Sequence, residues 1–442
     1  MHNQEENGVA VTTVTSNKIS KERGKTMKNE KTSLNIRKLK KQVKGITLIA
    51  LVVTIIVLLI LAGVAINLTV GDNGLFRRAE NARDTWEIAQ SKEQSEMDKA
   101  ADFIGIYEEG ANTGKTVSEA ISQNKFYTTN TTIKDDLENE VVIPAYFKLA
   151  ADSATKVEDG IVIEDLDGNQ FVWVPVENPN ELFIITQEAI KLNGVETTTN
   201  VYSKLTNRSG LYAPGMPNEI SKAREPDVLS NYDTDTQYYE NILGFDSTKS
   251  MADSMVAEYK AMSDSIKKYN GFYIGRYELT GSVETPTEKA GKVLTGASNE
   301  AENWYNLYKA CQNVVVGNNN VKSTMIYGVQ WDAVCSWLSQ NEYNTDSDSS
   351  SWGNYSDSLG DAAVEGTGSP QNTGYSEYWK ANNIYDLAGN YMEWTQEAVG
   401  LNGRITRGGY YNLSDSYASH ISYDDPYTPS RVNTSRATLY IL

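Results

Sequence analysis

The sequence predicts an α+β protein: one long N-terminal α-helix, then a domain of short strands, two helices and much irregular structure. Three observations carry that reading. Residues 46–66 form an apolar run without a single charge. Beyond residue 140, short runs of β-branched and aromatic residues alternate with turn sequences, and two stretches space their apolar residues as helices do. After Glu397 the chain contains no Lys, Glu, Gln, Met or Trp.

At 442 residues the chain can bury a real core in one large or two ordinary domains. Its formal charge of -18 is unevenly spread. Residues 1–45 hold 11 Lys/Arg against 4 Asp/Glu, net +7, which leaves -25 for the rest. An acidic body lacks the basic stripe that nucleic acid would need, so no nucleic-acid partner is expected. Two cysteines, Cys311 and Cys335, are too few for a disulfide scaffold. The only histidines are His2 and His420, which removes the parts for a His-based triad or a multi-ligand zinc site.

Residues 1–45 read as a basic leader. The apolar run from Ile46 to Ile66 is long enough, at about 1.5 Å per residue, to cross a hydrocarbon core as a helix. The basic flank predicts a cytoplasmic N-terminus and an extracellular C-terminal domain, a single-pass protein of the cell membrane. The junction Lys44-Gly45-Ile46-Thr47-Leu48-Ile49 resembles the prepilin cleavage and methylation signal of type IV pilins and pseudopilins. That resemblance implies cleavage between Gly45 and Ile46 by a prepilin peptidase, with pilus or pseudopilus subunits as partners. It departs at the fifth mature position, where the family has Glu and this chain has Ala50. A minor, tip or membrane-retained subunit is therefore expected rather than the major repeating one. Past Gly71-Asp72-Asn73-Gly74, which breaks or kinks the helix, Leu75, Ala79, Ala82, Trp86, Ala89, Met97, Ala101 and Ile104 recur at helical spacing. They predict an amphipathic stalk that completes a helical region over 46–110.

Residues 111–140, rich in Thr, Asn, Ser and Glu, read as a linker into a domain over 141–442. Val141–Pro144 and Gly160–Ile163 read as strands, Asp165–Asn169 as a hairpin turn rather than an EF-hand loop, and Gln170–Val176 as the following strand. Residues 195–265 show little periodicity and receive no role. Gly271–Thr280 reads as a strand. Trp304, Leu307, Tyr308 and Cys311 share one helical face, and so do Trp331, Val334, Cys335 and Leu338. Each thiol therefore sits on an apolar stripe, where a buried free cysteine is expected and a disulfide between the two is the alternative.

The order of motifs then resembles the formylglycine-generating-enzyme (sulfatase-modifying-factor) family, a branch of the C-type-lectin-like fold. The matching pieces are Phe171–Val176, Phe272–Thr280, Gln330–Ala333, Asn383–Trp394, Arg407-Gly408-Gly409 and Ser435-Arg436-Ala437. The enzymes use paired cysteines in the C-terminal region, and this chain has none after Cys335, so an oxidoreductase is the disfavoured alternative and no catalytic residue is assigned. What the resemblance does imply is a structural calcium site, with Asp386 and Glu393 supplying carboxylates and Gly389 and Tyr391 supplying carbonyls.

Between Gly409 and Arg431 the tail mixes Tyr410, Tyr411, Tyr417 and Tyr423 with Asn412, Ser414, Asp415, Ser416, Ser419, His420 and Asp424. Large amphipathic rings among small adaptable polar groups are the composition of antibody-like paratopes. The five residue types missing after Glu397 are those that no codon ending in a pyrimidine encodes. This resembles the variable proteins of diversity-generating retroelements, which randomise adenines in a C-terminal segment of a lectin fold. The expectation is a pilin-like display protein, a minor or tip subunit, whose C-terminal face binds a surface or host ligand. A purely structural pilus subunit is the further alternative.

Overall fold

The computed structural model describes residues 104–182, 242–245, 248–296, 302–399 and 403–442, the backbone of 185–192 and 195–202, and scattered helical positions from 83 to 101. The leader, the Gly45–Ile46 junction, the apolar run 46–66 and the Gly71–Gly74 break lie outside the described residues. Among the described residues no helix is long and apolar enough to cross a membrane. The chain divides into Met1–Trp86 and Glu87–Leu442. In the first unit only Arg83 and Trp86 are described, both helical. The second unit is a mixed α+β body with several small sheets.

The second unit enters on helical residues that run to Glu109, within the helical region expected to reach residue 110. Met97 and Ile104, expected on a buried stripe, are exposed. The region read as a linker is folded instead. It holds α1 (Val117–Gln123) and the hairpin β1 (Thr131–Lys134) with β2 (Glu140–Ile143). Thr116 caps α1 and Glu119 reaches back to close a capping box, while Val117, Ala120, Tyr127 and Ile133 are buried in the core. A polar composition hid four anchoring residues.

The main sheet has six strands, which run in the order β11 (Val321–Met325), β18 (Ala437–Ile441), β8 (Gly271–Gly275), β5 (Gln170–Pro175), β4 (Val162–Glu164) and β3 (Lys148–Leu149). Every pairing in it is antiparallel. Side chains alternate faces along a strand, and here both faces are covered. Phe171, Trp173, Tyr273 and Leu439 enter one core, while Val172, Val174, Phe272, Ile274 and Tyr440 enter the other. That is why these strands read as continuous apolar runs. The strand β18 lies inside this sheet, between the edge strand β11 and β8.

Helix α4 (Trp304–Asn313) packs its predicted stripe into the first core, and α5 (Gly328–Gln340) packs its stripe into the second. Between β5 and β8 lie the short helix α2 (Pro179–Leu182), the hairpin β6 (Ile185–Leu192) and β7 (Val195–Tyr202), and α3 (Thr248–Tyr269). Helix α3 was not read from the sequence. Met255, Tyr259, Met262 and Ile266 carry its buried stripe among Ser, Lys and Asp. The predicted strand over 271–280 is two pieces: β8 stops at Gly275, and β9 (Thr280–Gly281) pairs with β10 (Pro286–Thr287). Asp165–Asn169 is a turn, its carboxylate accepting from the N–H groups of Asp167 and Asn169.

The short strands β12 (Lys380–Ala381) and β13 (Ile384–Tyr385) form a small hairpin. A second, four-stranded sheet then runs in the order β16 (Ile421–Asp424), β15 (Gly403–Arg407), β14 (Met392–Val399) and β17 (Asn433–Ser435), with β14 and β17 parallel. Residues 408–420 form the connection from β15 to its edge strand β16.

Candidate functional site

The turn before β14 is fixed from below. Asp386 and Asn390 adopt positive φ, and Gly389 does so at 79°. A Cβ on Gly389 would stand 2.1 Å from the Asn354 carbonyl oxygen, so only glycine fits. Asp386 accepts from Thr373 Oγ1 and from the Gly374 N–H, each at 2.9 Å. Glu278 accepts from the Tyr391 N–H at 3.0 Å and from Asn390 Nδ2 at 2.6 Å. Glu393 turns both oxygens to Arg436, with Nη2 at 2.7 Å from Oε1 and Nε at 3.0 Å from Oε2. Arg436 also donates to the carbonyls of Gly275 and Tyr385, so the final strand is tied to the turn.

The donor set expected for calcium does not fit that ion. Calcium takes six to eight oxygens, and the Glu393 carboxylate is committed to a buried guanidinium. Asp386 Oδ1 is buried without a partner. Among the described residues no three His, Cys, Asp or Glu side chains are placed to hold a metal ion. What the turn does contain is a set of buried acids around one cation: Glu278, Glu288, Asp386 and Glu393 about Arg436. Burial pushes Asp386 up to about 6, and burial with the neighbouring Asp386 and Glu393 charges holds Glu278 well above the usual carboxylate range. Neither Glu278 nor Glu288 was assigned from the sequence, because each is far along the chain from the motif.

The tail is held differently. Arg407, at the end of β15, is buried and paired with Glu397 at 2.8 and 2.6 Å and with Asp332 at 3.3 Å. From there the loop's backbone is pinned by residues outside the tail. Tyr411 N–H donates to the Asn390 carbonyl at 3.0 Å, and the Leu413 carbonyl accepts from Ser356 N–H at 2.9 Å. Asp415 N–H donates to Asp357 Oδ2 at 2.8 Å. The Ser416 carbonyl accepts from Ser349 N–H at 3.0 Å, the Ala418 carbonyl from Trp331 Nε1 at 2.9 Å, and Ser419 N–H donates to the Thr345 carbonyl at 2.9 Å. The loop is irregular but not loose.

Its side chains then sort by exposure. Asn412, Ser414 and Asp415 are exposed, and Tyr410, Tyr411, Tyr417 and His420 are half-buried. Ser416 and Ser419, expected to touch a ligand, are buried: the inward bonds of their own backbone carry these positions under the loop. Tyr423 and Asp424 stand on the edge strand β16, Tyr423 exposed. Tyr411 meets Tyr410 edge-on at 5.4 Å and Tyr391 at 6.2 Å. Tyr391, assigned a metal-binding carbonyl by resemblance, instead contributes its ring to the tail's aromatic group. Tyr427, further along the tail, stacks on Tyr305 of α4. Ser356 and Asp357, which border the loop, were missed because nothing in their local sequence marks them.

The thiols lie on the buried faces of α4 and α5, Cys311 within 3.6 Å of Ser435 Oγ. Cys311 and Cys335 are free and buried, and burial raises the Cys311 pKa well above its ordinary value. A thiol so placed is inert.

No family model matches the chain, and no curated protein matches it. Among solved structures it is similar to "Treponema denticola variable protein 1", at 12% identity over 61% of this chain and 95% of that chain. The TM-score is 0.23, and a superposition that loose carries no argument about this chain's fold or function.

Proposed function

We propose that this chain is a cell-surface, pilin-like display protein whose C-terminal face, diversified by a retroelement, binds a ligand. One observation carries the binding reading. The backbone of 408–420 is hydrogen-bonded to residues outside the tail, at Trp331, Thr345, Ser349, Ser356, Asp357 and Asn390, while Asn412, Ser414 and Asp415 point into solvent. Side chains on such a loop can change without changing its path. That is what a surface selected for varied binding needs, and rigid tyrosines supply contact area at low entropic cost.

The display half of the proposal rests on the Gly45–Ile46 junction and the apolar run 46–66. It makes the protein a substrate of a prepilin peptidase, held in the membrane or assembled as a minor or tip subunit with its C-terminal domain outside. Replacing Tyr410, Tyr411 and Tyr417 together with Ala is expected to abolish saturable attachment to the ligand-bearing surface while the thermal unfolding transition is kept. Attachment that survives the triple substitution places the site elsewhere. Sequencing the coding region and its surroundings tests the diversification directly: without a near-repeat template and a reverse-transcriptase gene nearby, that part of the reading fails.

A further inference from the structure

One ring of the tail's aromatic group does not belong to the tail. Tyr391 meets Tyr411 edge-on at 6.2 Å, and Tyr411 meets Tyr410 at 5.4 Å. Yet Tyr391 is followed by Met392, Glu393, Trp394, Gln396 and Glu397, residue types that the chain lacks beyond that point. The segment with the restricted composition therefore begins after Tyr391, and its variation would leave this ring in place.

The backbone on both sides of Tyr391 is committed. Its own N–H donates to Glu278 Oε1 at 3.0 Å, and the Met392 N–H donates to the Val432 carbonyl at 2.8 Å. The Asn390 carbonyl accepts from the Tyr411 N–H, which sets the two rings beside each other. These bonds ask nothing of the Tyr391 ring. Tyrosines that serve the fold are used differently: the hydroxyls of Tyr127, Tyr273, Tyr308 and Tyr355 each donate to a protein acceptor, and all four side chains are buried. Tyr391, Tyr410 and Tyr411 are only half-buried, and among the described residues their hydroxyls make no hydrogen bond to the protein. Burial, then Glu278, then Tyr411 push the Tyr391 phenol up to about 12, so at pH 7 it keeps a proton to donate. A rigid ring with an unused hydroxyl offers a partner both apolar contact and a hydrogen bond.

We propose that Tyr391 is a constant contact of the binding face: a side chain of a partner protein packs on its ring and bonds to its hydroxyl, whatever the tail presents beside it. The inference rests on reading the face as the binding site, and it adds a contact that lies outside the varied segment. Different tails then choose among partners, and Tyr391 requires of each a group that fits against a phenol.

The test uses the full chain in detergent micelles and phage displaying random linear peptides. Peptides are selected on the wild type and, separately, on a chain with a second tail, Asn412→Tyr with Ser414→Asn. Each set is then measured on its own chain with Tyr391→Ala and with Tyr391→Phe. Both sets are expected to weaken by about tenfold on the Ala variant and by about threefold on the Phe variant, which keeps the ring. Loss confined to one set overturns the inference, because the contact is then not constant. Peptides that need Tyr410, Tyr411 and Tyr417 but bind the Tyr391→Ala chain unweakened overturn it too, and they leave the binding reading standing. If both sets ignore all four tyrosines, the binding reading itself is what fails. Hydroxyl-radical footprinting of the unsubstituted chain reads the same contact without a variant that must fold. Oxidation of Tyr391 should fall when peptide is bound; unchanged oxidation there, with Tyr411 protected, overturns the inference.

Discussion

The turn at 386–394 and the loop at 408–420 are neighbours, yet they are held by opposite means. In the turn the side chains do the holding: Asp386, Asn390, Glu393 and Glu278 are buried and bonded, and each is specified by the partner it meets. In the loop the backbone is held, and the outward side chains have few obligations. The first region can tolerate almost no change and the second can tolerate a great deal. A protein that varies one surface while keeping one fold needs both, side by side. Substitution should separate them.

The largest effect is expected at Arg436. It is fully buried, pairs with Glu393, and donates to two carbonyls. Arg436→Met would leave Glu393 as an uncompensated buried charge, which typically costs about 3–5 kcal/mol. Urea unfolding of the variant should show a midpoint shift of that size, or no folded protein at all. A shift within the range of an exposed substitution would mean that the pair does not hold the turn.

Next comes a pH effect at Asp386. Its folded pKa, about 6, lies above the unfolded value of 3.8, because burial outweighs its two hydrogen bonds. The favourable contribution of the protonated form is complete below the unfolded value and is lost as pH rises through about 6. Two pKa units correspond to about 3 kcal/mol. Asp386→Asn removes this dependence, so the variant's stability should fall less than the wild type's between pH 4 and 7. Parallel curves would show that Asp386 is not held neutral by burial.

The turn and the tail were legible in the sequence to different depths. Both cysteine-bearing helices and the strands β4 and β5 announced themselves by spacing, because each presents its apolar residues to one core or to both. Arg407 and Arg436 were visible as motifs, but not as ion-pair partners, since Glu397, Asp332 and Glu393 meet them only after folding. The calcium donor set failed for the same reason: a carboxylate's partner is set by three-dimensional placement, and here it is an arginine. Helix α3 and the Thr116 capping box carried recognisable local signals that a polar composition obscured. Ser416 and Ser419 could not be told from Ser414 by type or spacing, because only the pinning of the backbone decides which serines point inward.

The smallest effect is the one that tests the contrast most directly. Asn412 and Ser414 are exposed, and among the described residues neither side chain makes a hydrogen bond to the scaffold. Surface substitutions away from such anchors usually stay within about 0.5 kcal/mol. Asn412→Ala and Ser414→Ala, alone or together, should therefore leave the urea midpoint almost unmoved, and so should Asn412→Tyr. Ser416→Tyr, two residues further on, is the counter-case. It would drive a ring into a buried position so tight that even a Cβ on Gly409 would stand 2.5 Å from Ser416 Oγ, and it should destabilise the fold by about 1–3 kcal/mol through overpacking. If Asn412→Tyr and Ser416→Tyr proved equally costly, the loop would not be divided into outward and inward positions, and a diversified tail could not be carried on this scaffold. If only Ser416→Tyr is costly, the boundary between what may vary and what may not runs between neighbours in the same loop.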